Sequence, residues 1–535
     1  MNLAQVHVTV RDSKGKPVGN LHKEDFLLYD QGKLQPVSTF AVATRESRIE
    51  RAKAAATTQA TDNLPVPAAT SIALSDRFLA LVFDDTHMTL QDASYLRIQA
   101  SKFIDGIAPT ERVGVFSTSG QMTHDFTSDK DALKKTVLAG LIPRPRFVAD
   151  PTACPDMIHY EADQIENYHN RIVLDVMIQW ILDRCPPPGC HTPEECRRAA
   201  EFMAQTLAAF ILRQGDSEAA FVYRFMEDVL RRLAGMPGER VMILASPGFL
   251  ATAAQYPELS AVIHGANQSN IVINTLDARG LYTHEPMSGI SKANYDPGVA
   301  GPVSTVQITA QEEQAGVLRD FAYSTGGVYY GDSNDLAAGL NQLGAIPGVS
   351  YVLGFYPPKQ KMDGTFHAFK VALAQKNKYT IQARNGYSLL RPLDDPAAEE
   401  HQEIVAAVFS RDEILDLPLQ IQTQYFRSSP TEARLSVVSR IDLKGVHVHK
   451  FESWTLGSLT LVTAIFDDNG NYVAGLQKVV ERKLQDPAYQ KFLRTGLTVK
   501  SDFDLKSGRY LVRQVVHNSE DAQMAARNGS VEIPN

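Results

Sequence analysis

Two carboxylates and a hydroxyl follow directly on an apolar run in this chain, where Phe78-Leu-Ala-Leu-Val-Phe83 leads into Asp84-Asp85-Thr86. Oxygen donors of this kind suit a hard divalent cation such as Mg or Ca, or an acidic partner bridged by one. A short unbroken apolar run reads as an interior strand of a parallel sheet, covered on both faces. Ligands gather at the carboxyl ends of such strands, which makes Asp84, Asp85 and Thr86 the first candidate metal site. Asp277, at the exit of the later run Asn270-Ile-Val-Ile-Asn-Thr-Leu276, is a further contributor or a turn cap. The bland alternative is that Asp84 and Asp85 bond to neighbouring loop amides, or pair with Arg144 or Arg146.

Other chemistry is sparse. The chain carries no Gly-x-Ser-x-Gly, His-Glu-x-x-His, P-loop or Gly-x-Gly-x-x-Gly pattern. Ser246 sits on an Ala-Ser-Pro-Gly turn after a strand, but Pro247 removes the backbone N–H that an oxyanion hole would use there. His447 and His449 alternate and could share a metal, yet no third ligand is evident. His191 and His284 have no companion ligands beyond the cysteines near His191, and Tyr329, Tyr330 and Trp454 read as packing groups.

All four cysteines, Cys154, Cys185, Cys190 and Cys196, fall in one short window. An even, clustered set reads as two disulfides and an oxidising compartment. Zinc held by Cys185, Cys190, His191 and Cys196 is the competing reading, although Cys-x4-Cys-His-x4-Cys fits structural zinc spacing poorly. Free thiols are the third.

At 535 residues the chain exceeds one ordinary core, and roughly three domains are expected. A net charge of -8, a pI near 6.0 and scattered basic residues exclude nucleic acid or an anionic membrane as natural partners. No apolar run approaches the ~20 residues that cross a bilayer. The pattern is already strand-like by Val6, without a basic and apolar leader, so either a cytosolic protein or a mature form lacking its leader is expected.

The elements that must position these residues alternate in type. Short strands and breaker-rich turns fill 1–44, and an Ala, Thr and Pro rich linker covers 45–75. Strand and helix then alternate over 76–345 at the spacing of a doubly wound sheet with about five parallel strands. A cysteine-bearing insertion interrupts them at about 143–215, with helices expected over 158–183 and 193–212 and a third over 217–233. A Gly, Pro and Ser loop is expected over 283–308 and a helix over 311–324. Three strands in 346–392 should pair with the first forty residues, because neither fragment can bury its apolar face alone. About seven strands over 399–535 have the count of an immunoglobulin-like sandwich.

The layout of 76–345 resembles the von Willebrand factor type A domain, whose metal-ion-dependent adhesion site carries Asp-x-Ser-x-Ser after the first strand. Asp84 and Thr86 match the first two positions, whereas Met88 replaces the second Ser. The later Thr falls in Ile142-Pro-Arg-Pro-Arg146, and the last Asp is Pro247. Val8-Thr-Val-Arg-Asp-Ser-Lys-Gly-Lys-Pro-Val18, Leu21-His-Lys-Glu-Asp-Phe26, Leu276-Asp-Ala-Arg-Gly-Leu281, Tyr351-Val-Leu-Gly-Phe-Tyr356 and Ala383-Arg-Asn-Gly-Tyr387 are similar to bacterial VWFA-related proteins common in acidobacteria. The resemblance implies export to the periplasm or cell exterior and names no activity.

The expectation is therefore an α/β plus all-β protein, a von Willebrand A-type domain inserted in a β-sandwich and followed by a second sandwich. It is expected to be non-enzymatic, to bind a protein or cell-surface ligand through the top face around Asp84, and to hold Mg or Ca weakly at a degenerate site. Arg144, Arg146 and Asp277 are candidate partner contacts. The alternatives are a hydrolase or other enzyme using the same cleft, and a purely structural assembly component.

Overall fold

The computed structural model describes residues 4–12, 17–44, 77–145, 156–280, 297–345, 349–355, 366–374, 379–383, 386–388, 396–409, 413–427, 429, 432–443, 449–451, 454–485, 493, 496–519 and 523–534. Arg146, Cys154, His284 and His447, and the expected 45–75 linker, lie outside the described residues.

The chain opens with β1 (Ala4–Arg11), β2 (Phe26–Asp30), β3 (Lys33–Gln35) and β4 (Thr39–Thr44). It then builds β5 (Arg77–Phe83), α1 (Leu90–Asp105), β6 (Glu111–Ser117), β7 (Thr123–Thr127) and α2 (Lys130–Gly140). Three helices follow, α3 (His159–Glu166), α4 (Arg171–Arg184) and α5 (Pro193–Ala234), before β8 (Glu239–Ser246), α6 (Tyr256–Gln268) and β9 (Ile271–Asp277). Helix α7 (Pro297–Thr325), β10 (Tyr329–Tyr330) and α8 (Leu336–Gly344) complete this part.

One six-stranded sheet, ordered β10-β9-β8-β5-β6-β7, runs through it. Strand β5 is central, parallel to β6 on one side and β8 on the other, and β7 is antiparallel to β6. Side chains alternate across a strand. Leu79, Leu81 and Phe83 therefore enter a core with Leu96 and Phe103 of α1, Val137 of α2 and Leu340 of α8. Phe78, Ala80 and Val82 enter the opposite core, with Val222 and Met226 of α5 and Phe321 of α7. Both faces are dry, which is why the run is unbroken rather than alternating. Each large side chain so buried contributes about 1.5–3 kcal/mol.

The next strands are β11 (Val349–Phe355), β12 (Phe366–Leu373), β13 (Thr380–Ala383) and β14 (Gly386–Ser388). They form two four-stranded sheets with the first four, ordered β13-β1-β11-β4 and β14-β12-β2-β3. Val6 lies opposite Leu353, and Leu28 opposite Val371. The Tyr351 ring lies tilted against Phe26 with centroids 5.0 Å apart, and its hydroxyl donates to the Val18 carbonyl at 2.7 Å. A polar tip finding a partner is what permits a buried Tyr here.

The helices of the insertion depart from expectation. The 158–183 helix is two helices, because His169 has a φ of 50° and the Asn170 side chain caps α4 by accepting from Ile172 and Val173. Conversely, 193–212 and 217–233 are one 42-residue helix, α5. Gly215 does not break it: a side chain there would collide with the His159 ring, so the glycine lets α3 lie close against α5. Part of the expected 283–308 loop is helical too, since α7 starts at Pro297. Cys190 and Cys196 form a disulfide that staples the loop to the first turn of α5, and Cys185 is also disulfide-bonded.

The C-terminal region is not purely β, because it opens with α9 (Pro396–Phe409). Among the described residues nine strands follow: β15 (Ile414–Leu415), β16 (Leu419–Arg427), β17 (Glu432–Ile441), β18 (His449–Phe451), β19 (Trp454–Asp467), β20 (Tyr472–Gln485), β21 (Leu497–Lys506), β22 (Gly508–Asn518) and β23 (Met524–Ile533). They form a sheet ordered β15-β23-β22-β19-β18, with β20 also on β19, and a β16-β17-β21 sheet. Arg513, 1% exposed, donates from Nε and Nη2 to the Ala407 carbonyl near the end of α9. This satisfies a helix-end acceptor and holds α9 on the sandwich.

The 467–471 hairpin between β19 and β20 plugs the end of the α/β sheet opposite to the exit of β5. Gly470 leaves no room for a side chain against Phe78 and Pro237. Arg112, 3% exposed, donates to the Asp468 carbonyl at 3.0 Å and pairs with its carboxylate at 3.0 Å. Breaking such a pair strands a buried cation. Asp468→Ala should thus lower stability by about 1–3 kcal/mol, read as a shifted urea midpoint.

Candidate functional site

The site begins where β5, β6 and β8 end together. Asp84 leaves β5 with its amide bonded to the Ala245 carbonyl of β8 at 2.9 Å, and its carboxylate is fully buried. Oδ1 lies 2.7 Å from Thr86 Oγ1 and 3.0 Å from Thr118 Oγ1. Oδ2 accepts from Ser246 Oγ at 2.7 Å. His87 Nδ1 lies 2.9 Å from Oδ2 and 3.0 Å from Oδ1. Opposite a carboxylate, Nδ1 carries the proton. One buried acid therefore joins the exits of three strands.

Asp85 is equally buried and turns towards the β6 exit. Its Oδ1 accepts from the Ser119 amide at 2.8 Å and its Oδ2 from Ser119 Oγ at 2.6 Å, with Thr118 Oγ1 at 3.1 Å. Its carbonyl accepts from the Arg144 amide at 2.7 Å. The Arg144 guanidinium forms no ion pair with either acid, so the expected contact exists through its backbone alone.

The oxygens of Asp84 are engaged by hydroxyls and an imidazole, and His87 Nδ1 lies against both of them. Met88 points into the α1 core at 4% exposure and brings no oxygen. Among the described residues no cluster of three or more His, Cys, Asp or Glu is arranged to hold a metal. Asp277 is elsewhere engaged: Arg279 grips it with Nε at 3.0 Å and Nη2 at 2.7 Å, and Tyr329 reaches it at 3.4 Å. Burial pushes the Asp277 carboxyl up, against the pull of Arg279.

Ser246 is no exposed nucleophile. Its side chain is fully buried, its proton goes to Asp84, and its oxygen accepts the Gly248 amide at 2.9 Å. A serine nucleophile needs a base and access to substrate, and this one serves to shape the 247–250 turn.

What faces solvent above these acids is a cleft of about 540 Å³ between the strand exits and the insertion. His87, Gln91, Asp92 and the 247–250 turn line one side, and His159, Gly215 and Glu218 of the helices line the other. Arg279 and Gln314 close it. The His87 ring lies over Phe249, with centroids 5.4 Å apart and 15° between planes. Its Nε2 stands 3.9 Å from Glu218. Sequence reading did not single out His87, His159, Glu218, Thr118 or Ser119. The signal for three of them was present, since His87, Thr118 and Ser119 directly follow buried strands, whereas α5 reaches the cleft only through tertiary packing.

The electrostatics make Asp84 and His87 a mutually stabilising pair. Burial alone would raise Asp84, but the His87 charge and the bonds from His87, Thr86 and Ser246 hold it down at about 2. Burial opposes the charge on His87, and Asp84, with Glu218 further off, overcomes it and raises the imidazole above its ordinary 6.5. The Asp84 contribution, about 2 kcal/mol, is complete above about pH 4 and is lost as pH falls through about 2. The His87 contribution is complete below about 6.5 and is lost as pH rises through its raised value. Urea unfolding across pH should show both arms in the native protein, with the acid arm diminished in Asp84→Asn and the alkaline arm in His87→Gln.

No protein family matches the chain by sequence, and no curated protein matches it. Solved structures give distant superpositions. A glycosyl hydrolase family 2 member from Bacteroides cellulosilyticus is 11% identical over 35% of this chain and 20% of its own, with a TM-score of 0.17. A TFIIH p34 N-terminal domain is 11% identical over 51% of this chain and 98% of its own, at 0.19. A β-glucosidase from Kluyveromyces marxianus is 11% identical over 59% and 33%, at 0.12. The chain spans about a fifth of the length of the glycosyl hydrolase. At these scores neither fold nor function passes from any of them to this chain.

Proposed function

We propose that this chain is a non-enzymatic recognition protein that binds another protein or a surface ligand through the top face of a von Willebrand A-type domain. The observation that carries the reading is the cleft above Asp84, preformed between strand exits and insertion, with the chemically reactive groups beneath it consumed by internal bonds. A protein-binding edge needs shape, rigidity and mixed polarity rather than a free nucleophile. The 247–250 turn, pinned through Ser246 to Asp84, supplies rigidity, and Phe249 with Leu250 supplies apolar floor.

Recognition on this reading runs without a bound cation, because His87 rather than a metal neutralises Asp84. The disulfide at Cys190 and Cys196 and the bonded Cys185 support an oxidising, exported location. Among the described residues no helix is long and apolar enough to cross a membrane.

Two measurements check the reading. A photo-crosslinking residue in place of Gln91, on the cleft rim, should capture a discrete partner from native extract, while one in place of Tyr323 on α7 should not; equal patterns at both positions would defeat the top-face reading. Millimolar Mg or Ca should leave the melting temperature unmoved, and a rise abolished by Asp84→Asn would restore a metal-dependent site.

A further inference from the structure

We infer that helix α3 is a releasable part of the cleft wall, held down while the Glu161 carboxyl is protonated and let go when that carboxyl ionises. The device stands on the packing of the insertion alone; its effect on recognition rests on the top-face reading.

Glu161 is buried without a counter-ion. At 6% exposure it sits in the first turn of α3, where its Oε2 accepts from the Ile158 amide at 3.0 Å. A protonated carboxyl keeps that bond, whereas an ionised one in a dry site needs a cation or further donors. Asp156, just before the helix, repels the ionised form. On α3 itself, His159 lies 3.2 Å from Asp216 of α5, and Asp163 accepts from Asn167 at 2.7 Å. Between α4 and α5, Arg171 pairs with Glu201 and Arg197 with Asp175. Glu313 of α7 brings one more negative charge, felt at Tyr160. Among the described residues no Lys or Arg forms an ion pair with Glu161. Burial therefore pushes Glu161 up from 4.5 to about 7, and it pushes Asp163 up as well.

The helix that carries this acid is lightly held. It has eight residues and ends at the break where His169 adopts a φ of 50°. Four of its side chains are buried, and two of those four are carboxyls. Its apolar hold is Ala162 and Ile165, in one core with Met177 of α4 and Ala204 of α5, together with the His159 ring over Gly215. Ionisation favours whichever arrangement returns Glu161 to water. The hold it gives α3 is thus complete below about pH 4.5 and is lost as pH rises through about 7. His159 lines the cleft and leaves with α3, so this side of the cleft is closed in acid and open in alkali.

Hydrogen exchange of the full-length protein tests this, read as protection factors so that the intrinsic pH dependence of exchange cancels. Between pH 5 and pH 8 the amides of 162–166 should lose protection about tenfold or more, while those of β5 should change by less than about twofold. Glu161→Gln keeps the size and an acceptor for the Ile158 amide, and should hold the α3 amides nearly level across that range. Glu166→Gln, on the same helix, should respond to pH as the native protein does. The inference is overturned if native α3 shows no loss, if Glu161→Gln responds like the native protein, if Glu166→Gln also abolishes the response, or if β5 loses protection in parallel. Failure to capture a partner from the Gln91 position would defeat the top-face reading and leave the device standing, whereas level α3 protection defeats the device whatever is captured.

Discussion

The upper half of the α/β unit depends on one buried carboxylate. Withdrawing Asp84 from water costs several kcal/mol unless donors surround it, and the chain supplies them from three separate strand exits: Thr86 and His87 after β5, Thr118 after β6, and Ser246 at the end of β8. The loops at that edge are consequently not free to drift. Each must return a donor to the same point, which fixes the 247–250 turn and the face of the His87 ring. Removing the acid would leave those donors unsatisfied, and removing the donors would leave a bare charge in a dry interior.

That constraint also divides labour at the site. The acids that looked most reactive lie beneath the surface and perform structural work, while the groups that meet solvent come from their neighbours and from the insertion. Helix α5 is central to this division. Its 42 residues span roughly 60 Å, so one rigid element carries the stapled Cys196 at its start, Glu218 at the cleft wall, and Val222, Met226 and Leu230 in the sheet core. Position of the cleft wall is thereby tied to packing of the core rather than to a flexible loop.

Strand β5 connects the two ends of the unit. Asp84 stands at its exit, and Phe78 at its entry packs against the 467–471 hairpin of the C-terminal sandwich, where Arg112 and Arg509 converge on Asp468. The sandwich is therefore docked through a buried cation and a close glycine contact, and α9, held by Arg513, is part of the same docked body. The chain's first strands, paired with β11 to β14, bring the entry and return of the α/β unit together.

The amino-acid pattern by itself determined what local periodicity and burial dictate. The unbroken 78–83 run, the apolar strands near 112–116, 240–245 and 270–276, and the turn at Asp467-Asp-Asn-Gly470 appear in the structure as the elements their sequences describe, because hydrophobic period and turn chemistry are local signals. Tertiary structure decided the rest. Gly215 reads as a helix stop until His159 is seen packing on it, and Asn170 reads as mid-helix until it caps α4. Strand β7 and helix α9 carry too weak a local pattern to be read without their neighbours. Asp84 and Thr86 read as metal ligands in a line of residues, since oxygen chemistry is visible there. Their hydrogen-bond partners Thr118, Ser246 and His87 are set by which strand ends meet, and Glu218 reaches the cleft only because α5 folds across it. Spacing in sequence shows which atoms are able to bond; packing decides which of them are already taken.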